Sequence, residues 1–188
     1  WVVFDQNTWD FVGAHGELVI EGCMDPAAFN YDPNATTDCG DCCDYGIVHT
    51  IYEIQYTDGE GSSDCYPSND NGQYVTTTGV ITAVKPGDNP NFYIQDPNSD
   101  TYSGIYVYDD TQSPVSGDEV TVMAKVYEYS GMTELTEISS YTILSTNNTI
   151  TPKDITTGEL ASECSETGES LEGMLVRISN VAVTQEIA

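Results

Sequence analysis

From Tyr74 onward, apolar and polar residues alternate with the two-residue period of strands that are buried on one face. The clearest case is EVTVMAKVYEY, where Val120, Val122, Ala124 and Val126 occupy every second position. The segments with a strand pattern read YVTTTGVITAV, NFYIQD, GIYVYD, EVTVMAKVYEY, TELTEISSYTIL and GMLVRISNVAVT. Turn-forming stretches such as KPGDNPN and DPNSDTYSG separate them. The pattern predicts an antiparallel all-β domain and not a βαβ protein.

Strand number and strand length favour a small closed barrel. Five strands of this length suit an oligonucleotide/oligosaccharide-binding (OB) barrel, whereas a jelly roll needs more strands. Gly79 interrupts the first long strand, where such a barrel requires a sharp bend or bulge. We therefore predict an all-β fold with a small antiparallel OB-like barrel over residues 47–188.

Two shorter segments precede the predicted barrel. Residues 1–21 contain the apolar runs WVVF and ELVI, which predict a hairpin or the end of a preceding module. Residues 22–46, the Cys/Asp segment, are too polar to form a core of their own.

An internal similarity concerns the end of the chain. NGQYVTTTGVITAV and EGMLVRISNVAVT align without a gap, which reflects either shared strand composition or a second module that starts at about residue 170. Because the chain starts at Trp1 and stops in an apparent strand, we expect it to be part of a longer protein.

The charge of the chain is strongly acidic. Asp and Glu number 31 against 4 Lys and Arg, which gives a formal net charge of -27. The basic residues are Lys85, Lys125, Lys153 and Arg177, too few to neutralise a phosphate backbone, so we expect no nucleic-acid partner. The 13 tyrosines and many β-branched residues argue against disorder, and no apolar run approaches the length of a membrane helix.

Four of the six cysteines lie in GCMDPAAFNYDPNATTDCGDCC, residues Gly22 to Cys43. Zinc binding is disfavoured because three crowded sulfurs and His49 lie at no standard ligand spacing. A redox pair would need a helix start after Cys39, where the sequence has a turn. Disulfides are favoured, and with them an oxidising, extracellular compartment. The candidate disulfide cysteines are Cys23, Cys39, Cys42, Cys43, Cys65 and Cys164.

The same segment carries regularly placed oxygen ligands. They are Asp25, Asn30, Asp32, Asn34, Asp38 and Asp41. Calcium takes six to eight such oxygens in irregular loops, so the set predicts a calcium site. Asp and Asn beside Pro and Gly also cap turns, and the sequence leaves both interpretations open.

The Cys/Asp segment resembles a short repeat, G-C-T-D-P-x-A-x-N-Y-x-P-x-A-x-x-D-D-G-S-C, of surface proteins exported by bacterial type IX secretion. The matching residues are Gly22, Cys23, Asp25, Pro26, Asn30, Tyr31, Pro33, Ala35, Asp38, Gly40 and Cys42. The resemblance implies a Cys23–Cys42 disulfide, which leaves Cys39 and Cys43 to pair locally or elsewhere. Cys39 in place of the second Asp, and the added Cys43, depart from the repeat.

Residues 50–185 resemble a second family, the OB-fold module that accompanies secreted nuclease-like proteins. The resemblance rests on TIYEIQ, GQYVTTTGVITAV, NFYIQDPNSD, SGIYVYDD, VSGDEVTVMAKVYEYSGMTEL and SLEGMLVRISNVAVTQ. In that family hydrolysis belongs to a separate phosphodiesterase domain, whose Asn, His and Asp motifs are absent from this sequence.

The internal similarity also places Cys65 and Cys164 at comparable positions, ahead of the two similar segments. A disulfide between them would close a long loop and stabilise the fold by about 4 kcal/mol.

No catalytic constellation stands out. His15 and His49 lack a nucleophile or second histidine at catalytic spacing, and no phosphate loop or nucleophile elbow occurs, so we predict no enzyme activity. The tyrosines of the barrel strands predict either an aromatic face for stacking on sugar rings or cross-strand pairs that stabilise the sheet. They are Tyr93, Tyr106, Tyr108, Tyr127 and Tyr129.

These features together predict a non-catalytic module of a secreted, multidomain cell-surface protein. In the first interpretation it is a spacer or adhesion module that calcium stiffens. In the alternative it is a carbohydrate- or ligand-binding accessory domain of a secreted nuclease or phosphoesterase. The expected partners are other modules of the same longer chain, surface glycans or neighbouring surface proteins.

Overall fold

β-Strands dominate the part of the chain that the computed structural model describes, namely residues 2–4, 11–14, 19–26, 28–61, 65–87, 91–160 and 164–182. The strands are β1 (Val2–Phe4), β2 (Phe11–Ala14), β3 (Glu21–Gly22), β4 (Thr37–Asp38), β5 (Ile47–Val48), β6 (Tyr74–Val84), β7 (Phe92–Gln95), β8 (Gly104–Val107), β9 (Glu119–Tyr129), β10 (Met132–Ser145), β11 (Lys153–Ile155) and β12 (Val176–Ile178). The α-helices are α1 (Ile51–Gln55) and α2 (Glu166–Glu169), and Thr157–Leu160 forms a 3-10 turn. The chain divides into two units, Trp1–Asp44 and Tyr45–Ala188.

The first unit contains two short strand pairs. β1 pairs with β2 in antiparallel orientation, and β3 pairs with β4 in parallel orientation. The predicted hairpin between WVVF and ELVI is therefore wrong in its second strand, because β1 pairs with Phe11–Ala14. Within ELVI, Val19 and Ile20 lie outside any strand, and residues 17–18 lie outside the described residues.

Strands β6 to β10 close into a barrel in the order β6, β7, β8, β10, β9, and β9 pairs again with β6. β8 and β10 are parallel, and the other neighbouring barrel strands are antiparallel. The closing pairing of β6 with β9 runs from Tyr74 opposite Lys125 to Val80 opposite Glu119. Five strands in this order form an OB fold, which confirms the predicted all-β, OB-like class.

Alternate residues of each barrel strand point into a continuous apolar core, as the period-two pattern predicts. On β9, the inward-facing Val120, Val122, Ala124 and Val126 have no exposed surface. The buried core comprises Ile51, Ile54, Val75, Ile81, Phe92, Ile94, Ile105, Val107, Val120, Val122, Ala124, Val126 and Leu135.

A helix before the barrel completes this core. α1 begins after Thr50, whose hydroxyl accepts a hydrogen bond from the Glu53 amide, while the Glu53 carboxylate accepts one from the Thr50 amide at 2.8 Å. This capping box satisfies amides that a helix start otherwise leaves unpaired. Ile51 and Ile54 project into the barrel core and are fully buried.

Gly79 permits the close approach of α1. A Cβ at this residue would lie 3.0 Å from Ile51 Cδ1 and 3.1 Å from the Gln95 amide nitrogen. The predicted bend at Gly79 is displaced, because the irregularity of β6 against β7 falls between Ile81 and Ala83. Gly79 is therefore needed for packing at this position.

The C-terminal part of the described chain packs on the barrel instead of forming a long strand. Of the described part of the predicted strand GMLVRISNVAVT, residues 173–182, only β12 is a strand, and it pairs in parallel with β11. Arg177 donates two hydrogen bonds to the Asp154 carboxylate, at 2.6 and 2.7 Å. Gly173 lies directly against Gly104 of β8, with no room for a side chain on either residue. A disulfide between Cys65 and Cys164 joins the approach to β6 to the segment that contains α2.

A group of carboxylates lies where the α2 segment meets the barrel. Glu172 Oε1 accepts a hydrogen bond from the Thr133 amide at 3.0 Å, and a Glu169 oxygen lies 2.9 Å from Cys65 Sγ. Burial, with repulsion from Glu128, raises the pKa of Glu169 to about 7. Burial, followed by repulsion from Glu169, raises the pKa of Glu172 to about 7. Each group therefore favours its protonated form in the folded state.

The raised pKa values predict that the protein loses stability as pH rises from about 4.5 to about 7. In that window the folded state holds protons that the unfolded chain has released, so the free energy of unfolding falls with increasing pH. We expect Glu172→Gln to remove part of this fall, on the order of 1 to 2 kcal/mol given the partial exposure of the group. Urea unfolding at several pH values and constant ionic strength measures it. If the free energies of unfolding of the parent protein and of Glu172→Gln changed with pH in parallel, the assignment of a raised pKa to Glu172 would be contradicted.

The Cys65–Cys164 disulfide closes a separation of 99 residues, whereas Cys39–Cys42 spans 3. In the chain-entropy model the longer loop stabilises by about 4 to 5 kcal/mol. We expect the Cys65→Ser, Cys164→Ser double variant to lose most of that free energy of unfolding, measured by denaturant titration followed by circular dichroism. The matched Cys39→Ser, Cys42→Ser variant is the control and should lose far less. Equal losses would refute the loop-length argument.

Candidate functional site

The tyrosines that were predicted to form an aromatic face lie in one groove on the outside of the barrel. We call this surface the tyrosine groove; its rings belong to Tyr93, Tyr106, Tyr108, Tyr127 and Tyr129. These residues alternate with inward-facing core residues, for example Tyr127 with Val126, so the period of the strands directs them outward. The structure thus brings together every tyrosine of the prediction.

The floor of the groove is a row of side chains that crosses four strands. Tyr93 of β7 is opposite Tyr106 of β8, Tyr106 is opposite Glu134 of β10, and Glu134 is opposite Tyr127 of β9. The rings of Tyr93 and Tyr106 contact each other, with centroids 4.9 Å apart and planes tilted by 47°. This pair shows that part of the cluster also stabilises the sheet, as the second interpretation of the tyrosines proposed.

The groove has the size of a ligand site and keeps exposed aromatic surface. Its volume is about 910 Å³, near the upper end of the range for small-molecule pockets. The exposed fractions of Tyr108, Tyr127 and Tyr129 are 56%, 47% and 60%. Rings needed only for sheet packing would have less free surface, so these three can contact a ligand.

Four carboxylates, and no Lys, Arg or His, are among the described residues that line the groove. Asp109 closes a turn at its rim, where its two oxygens accept hydrogen bonds from Thr111 and Gln112. Glu137 accepts from the Tyr74 hydroxyl at 2.8 Å and from Lys125 Nζ at 3.2 Å. These contacts, led by the Tyr74 bond, lower the pKa of Glu137. The others are Asp110, which is exposed, and Glu134.

Glu134 is a residue of the groove that the sequence analysis did not single out. Only 6% of its surface is exposed although it lies on the outer face of β10. Burial, with repulsion from Glu128, raises its pKa. Burial also raises the pKa of Tyr106, which a hydrogen bond with Asn91 partly offsets. The sequence does show that Glu134 alternates with Thr133 and Leu135 on β10, which directs it outward. Its neighbours on β8 and β9 come from the pairing of the strands and cannot be identified from the local sequence.

The rim of the groove is tied together by Asn91. Its Oδ1 accepts a hydrogen bond at 3.0 Å from the amide of Asp109, so the start of β7 is fixed to the end of β8. The Tyr108 amide donates to the Leu135 carbonyl at 2.9 Å, which continues the parallel contact of β8 with β10. The rings are therefore carried by mutually bonded strand ends.

The Cys/Asp segment is held by two disulfides. They pair Cys23 with Cys43 and Cys39 with Cys42. The Cys23–Cys42 pairing that the repeat resemblance implied is therefore wrong. Gly40, with φ of +74°, turns the chain between Cys39 and Cys42, so that they pair locally and Cys43 reaches Cys23.

Three of the predicted calcium ligands serve as caps of backbone turns. Asp32 Oδ1 accepts hydrogen bonds from the Asn34 amide at 2.8 Å and from Asn34 Nδ2 at 3.2 Å. Asp38 Oδ1 accepts from the Gly40 amide at 2.6 Å. The Asn30 side chain donates to the Cys42 carbonyl and accepts from the Asp44 amide. Side chains used in this way organise the loop themselves.

The six predicted calcium ligands lie along the Cys/Asp segment, and several of them already contact other groups of that segment. Across the described parts of the chain, no three His, Cys, Asp or Glu side chains gather where they could hold a metal ion. Asn34 Nδ2 and Asn30 Nδ2 are donors to other groups, and Asp41 is exposed. Calcium binding by Asp25, Asn30, Asp32, Asn34, Asp38 and Asp41 stays a prediction from the sequence.

Comparisons with known proteins add little to this geometry. The chain matches no protein-family model and no curated protein. Among solved structures, it is similar to the telomere capping protein Ten1 from Saccharomyces pombe, with 14% identity and a TM-score of 0.30. The similar region covers 48% of this chain and 76% of the Ten1 chain. The fold assignment rests on the strand order of the barrel, because a similarity of this size supports no argument.

The contacts of Asp32 predict that Asp32→Ala loosens its turn whether or not calcium is present. Loss of one capping hydrogen bond costs about 1 kcal/mol, so we expect the Asn34 amide to exchange roughly fivefold faster. Hydrogen exchange with calcium and with a chelator measures this. Asp41→Ala is the matched control, since it removes the same charge from an exposed position of the segment. Saturable calcium binding by calorimetry that is lost in Asp32→Ala would instead restore the metal site.

Proposed function

We propose that this chain is a non-catalytic, carbohydrate-binding module of an extracellular protein and that the tyrosine groove is its ligand site. The observation that carries the proposal is the row from Tyr93 through Tyr106 to Tyr127, next to the exposed rings of Tyr108 and Tyr129. Sugar rings have an apolar face of C–H groups and an edge of hydroxyls. Tyrosine offers a flat apolar face and a polar tip, so it suits both.

Charge argues against a nucleic-acid ligand for the same groove. Four carboxylates line it, and the chain as a whole has a formal net charge of -27. A phosphate backbone would be repelled, whereas affinity for nucleic acids depends on Lys and Arg. Base stacking on aromatic rings alone would not offset this repulsion, since single-strand binders combine stacking with a positive groove.

The closed barrel also argues against an extended peptide as ligand. β8 pairs with β7 and β10, and β9 pairs with β10 and β6, so the strands under the groove have neighbours on both sides. Peptides that bind to sheets usually add a strand to a free edge. A glycan that stacks on ring faces needs no free backbone groups.

A binding role is favoured over hydrolysis by the state of the carboxylates. Asp109 is engaged by turn amides, and Glu137 is engaged by Tyr74 and Lys125. Glycosidases need a pair of carboxyl groups that face the scissile bond with distinct roles. Two of the four groove carboxylates are committed to structural contacts, which supports the proposal of no enzyme activity.

An extracellular location is part of the proposal. All six cysteines form disulfides, which persist in oxidising compartments. The described helices are too short and too polar to cross a membrane. Type IX secretion and membership of a longer multidomain chain stay predictions.

A second candidate is a spacer or adhesion module, and the observation that favours it is the pair of disulfides in the Cys/Asp segment. They hold residues 23–43 in a short, turn-rich unit. Cross-links of this kind stiffen a segment that has little apolar core. The two functions are compatible, because each uses a different part of the chain.

The carbohydrate proposal predicts saturable binding to at least one polysaccharide of a varied panel, measured by affinity electrophoresis and calorimetry. We expect Tyr108→Ala and Tyr127→Ala each to weaken binding about three- to tenfold, the effect of losing one aromatic contact. Tyr52→Ala is the matched control, since Tyr52 is a tyrosine of α1 that is 39% exposed and is not among the residues that line the groove.

Three results would contradict the proposal. They are no binding across the panel, an equal loss in Tyr52→Ala, and tight binding of single-stranded DNA at physiological salt. The last result would show that the acidic groove does not exclude nucleic acids.

A further inference from the structure

Glu134 lies at the centre of the tyrosine groove, between two rings. The register places it opposite Tyr106 on one side and opposite Tyr127 on the other. It therefore occupies the position where a third ring would complete a continuous aromatic row. A carboxylate is an unfavourable residue at this position in an aromatic surface, because burying it away from water costs free energy.

No hydrogen-bond donor of the described chain satisfies this carboxylate. Only 6% of the residue's surface is exposed, its carboxylate oxygens are not among the fully enclosed polar atoms, and it lines the groove, so this small exposed surface is open to a ligand. The interactions that act on the group are burial and repulsion from Glu128. Buried carboxylates are normally paired or hydrogen-bonded, and an exception calls for an explanation.

Glu128 provides an internal comparison. It is as buried as Glu134, at 9% exposed, yet its Oε1 accepts hydrogen bonds of 2.7 Å from the Ser68 amide and from Thr133 Oγ1. Glu172 likewise accepts from the Thr133 amide. The fold thus supplies donors to one oxygen of Glu128 and to Glu172, whereas no donor among the described residues reaches Glu134.

The chemistry of the groove specifies the missing donor. Besides Glu134, the ionisable groups that face the groove are Asp109, Asp110, Glu137 and the tyrosines, and no cationic side chain is among its described lining residues. Lys125 is engaged by Glu137 at 3.2 Å. A neutral hydroxyl would supply a hydrogen bond and leave the negative charge uncompensated. A protonated amine supplies both, and the faces of tyrosine rings attract it as well.

We propose that Glu134 makes the tyrosine groove selective for sugars with a free, protonated amine, that is, for hexosamine units that are not acetylated. This inference rests on the proposed function of the groove. The sugar ring stacks on Tyr106 or Tyr127, and its ammonium group donates to the Glu134 carboxylate between them. Acidic sugars are disfavoured because the groove carries four carboxylates.

The test compares two oligosaccharides that differ only in the amine. Calorimetry at about pH 6, where an amine is protonated, is done with a β-1,4-linked glucosamine hexamer and with its fully N-acetylated counterpart. We expect the free-amine hexamer to bind at least about tenfold more tightly, in line with a charge-assisted hydrogen bond. Glu134→Gln should reduce this preference to below about threefold.

Asp110→Asn is the matched control, because it removes one groove carboxylate at an exposed position. Its preference for the free amine should stay close to that of the parent, since an exposed charge is screened by water and salt. An equal effect of Asp110→Asn and Glu134→Gln would overturn the role of Glu134. A thermal melt of each variant establishes that it is folded.

A second readout does not depend on any variant. An ammonium group beside Glu134 favours its ionised form, so saturation with the free-amine hexamer should lower the pKa of Glu134, followed by carbon NMR of its carboxyl group. The acetylated hexamer should not lower it. An unchanged pKa with bound free-amine hexamer would refute the contact.

The remaining outcomes separate the two proposals. Equal binding of both hexamers, lost in Tyr127→Ala, would overturn the inference and leave the carbohydrate function intact. Failure of both hexamers and of the polysaccharide panel would overturn both. Binding of a lysine-rich peptide, without binding of the glucosamine hexamer, would overturn the inference in favour of a cationic peptide.

Discussion

The pairing of β6 with β9 is the contact on which the rest of the molecule depends. It joins the first barrel strand to the fourth, from Tyr74 opposite Lys125 to Val80 opposite Glu119, and so closes the sheet on itself. Closure removes the free edges through which an open sheet associates with other chains. It also creates an inside for the fully buried valines of β9. The side chains that alternate with the inward-facing residues of β9 lie on the other face of the strand, and those of Tyr127 and Tyr129 belong to the tyrosine groove.

The ends of the barrel are completed by segments outside its five strands. α1 inserts Ile51 and Ile54 into the core, and a side chain in place of Gly79 would require its neighbours there to shift. Elsewhere, the segment with α2 is joined to the approach to β6 through Cys65–Cys164, and its carboxylates carry pKa values raised by burial. Holding these acidic groups away from water lowers the stability of the fold. A small domain has little stability to lose, so the apolar contacts and the long disulfide must offset this loss.

The acidic surface and the aromatic groove act together in the proposed recognition. Acidity on most of the surface only keeps a protein solvated and repels polyanions. Within the groove, carboxylates lie among the tyrosines, and one of these carboxylates, Glu134, is largely removed from water. A ligand that stacks on the rings and carries a positive charge would meet both features. The distinction between Glu134 and exposed Asp110 is therefore one of solvation, since both carry the same group.

The sequence alone determined the all-β class, the outward direction of the tyrosines and the use of cysteines in disulfides. Period-two alternation encodes which face of a strand is buried, and that information is local. The capping box of α1 was also present in TIYE, although the sequence analysis used this segment only for the resemblance to the OB-fold module. Tertiary structure decided the rest. The position of Glu134 between Tyr106 and Tyr127 requires β10 to pair with β8, which is separated from it in sequence by β9, and no local pattern specifies that register. The choice of Cys43 over its neighbour Cys42 as the partner of Cys23 depends on the turn at Gly40. Asp32 and Asp38 suit a cation or a turn equally well by residue type, and only the tertiary structure shows that backbone amides donate to both carboxylates.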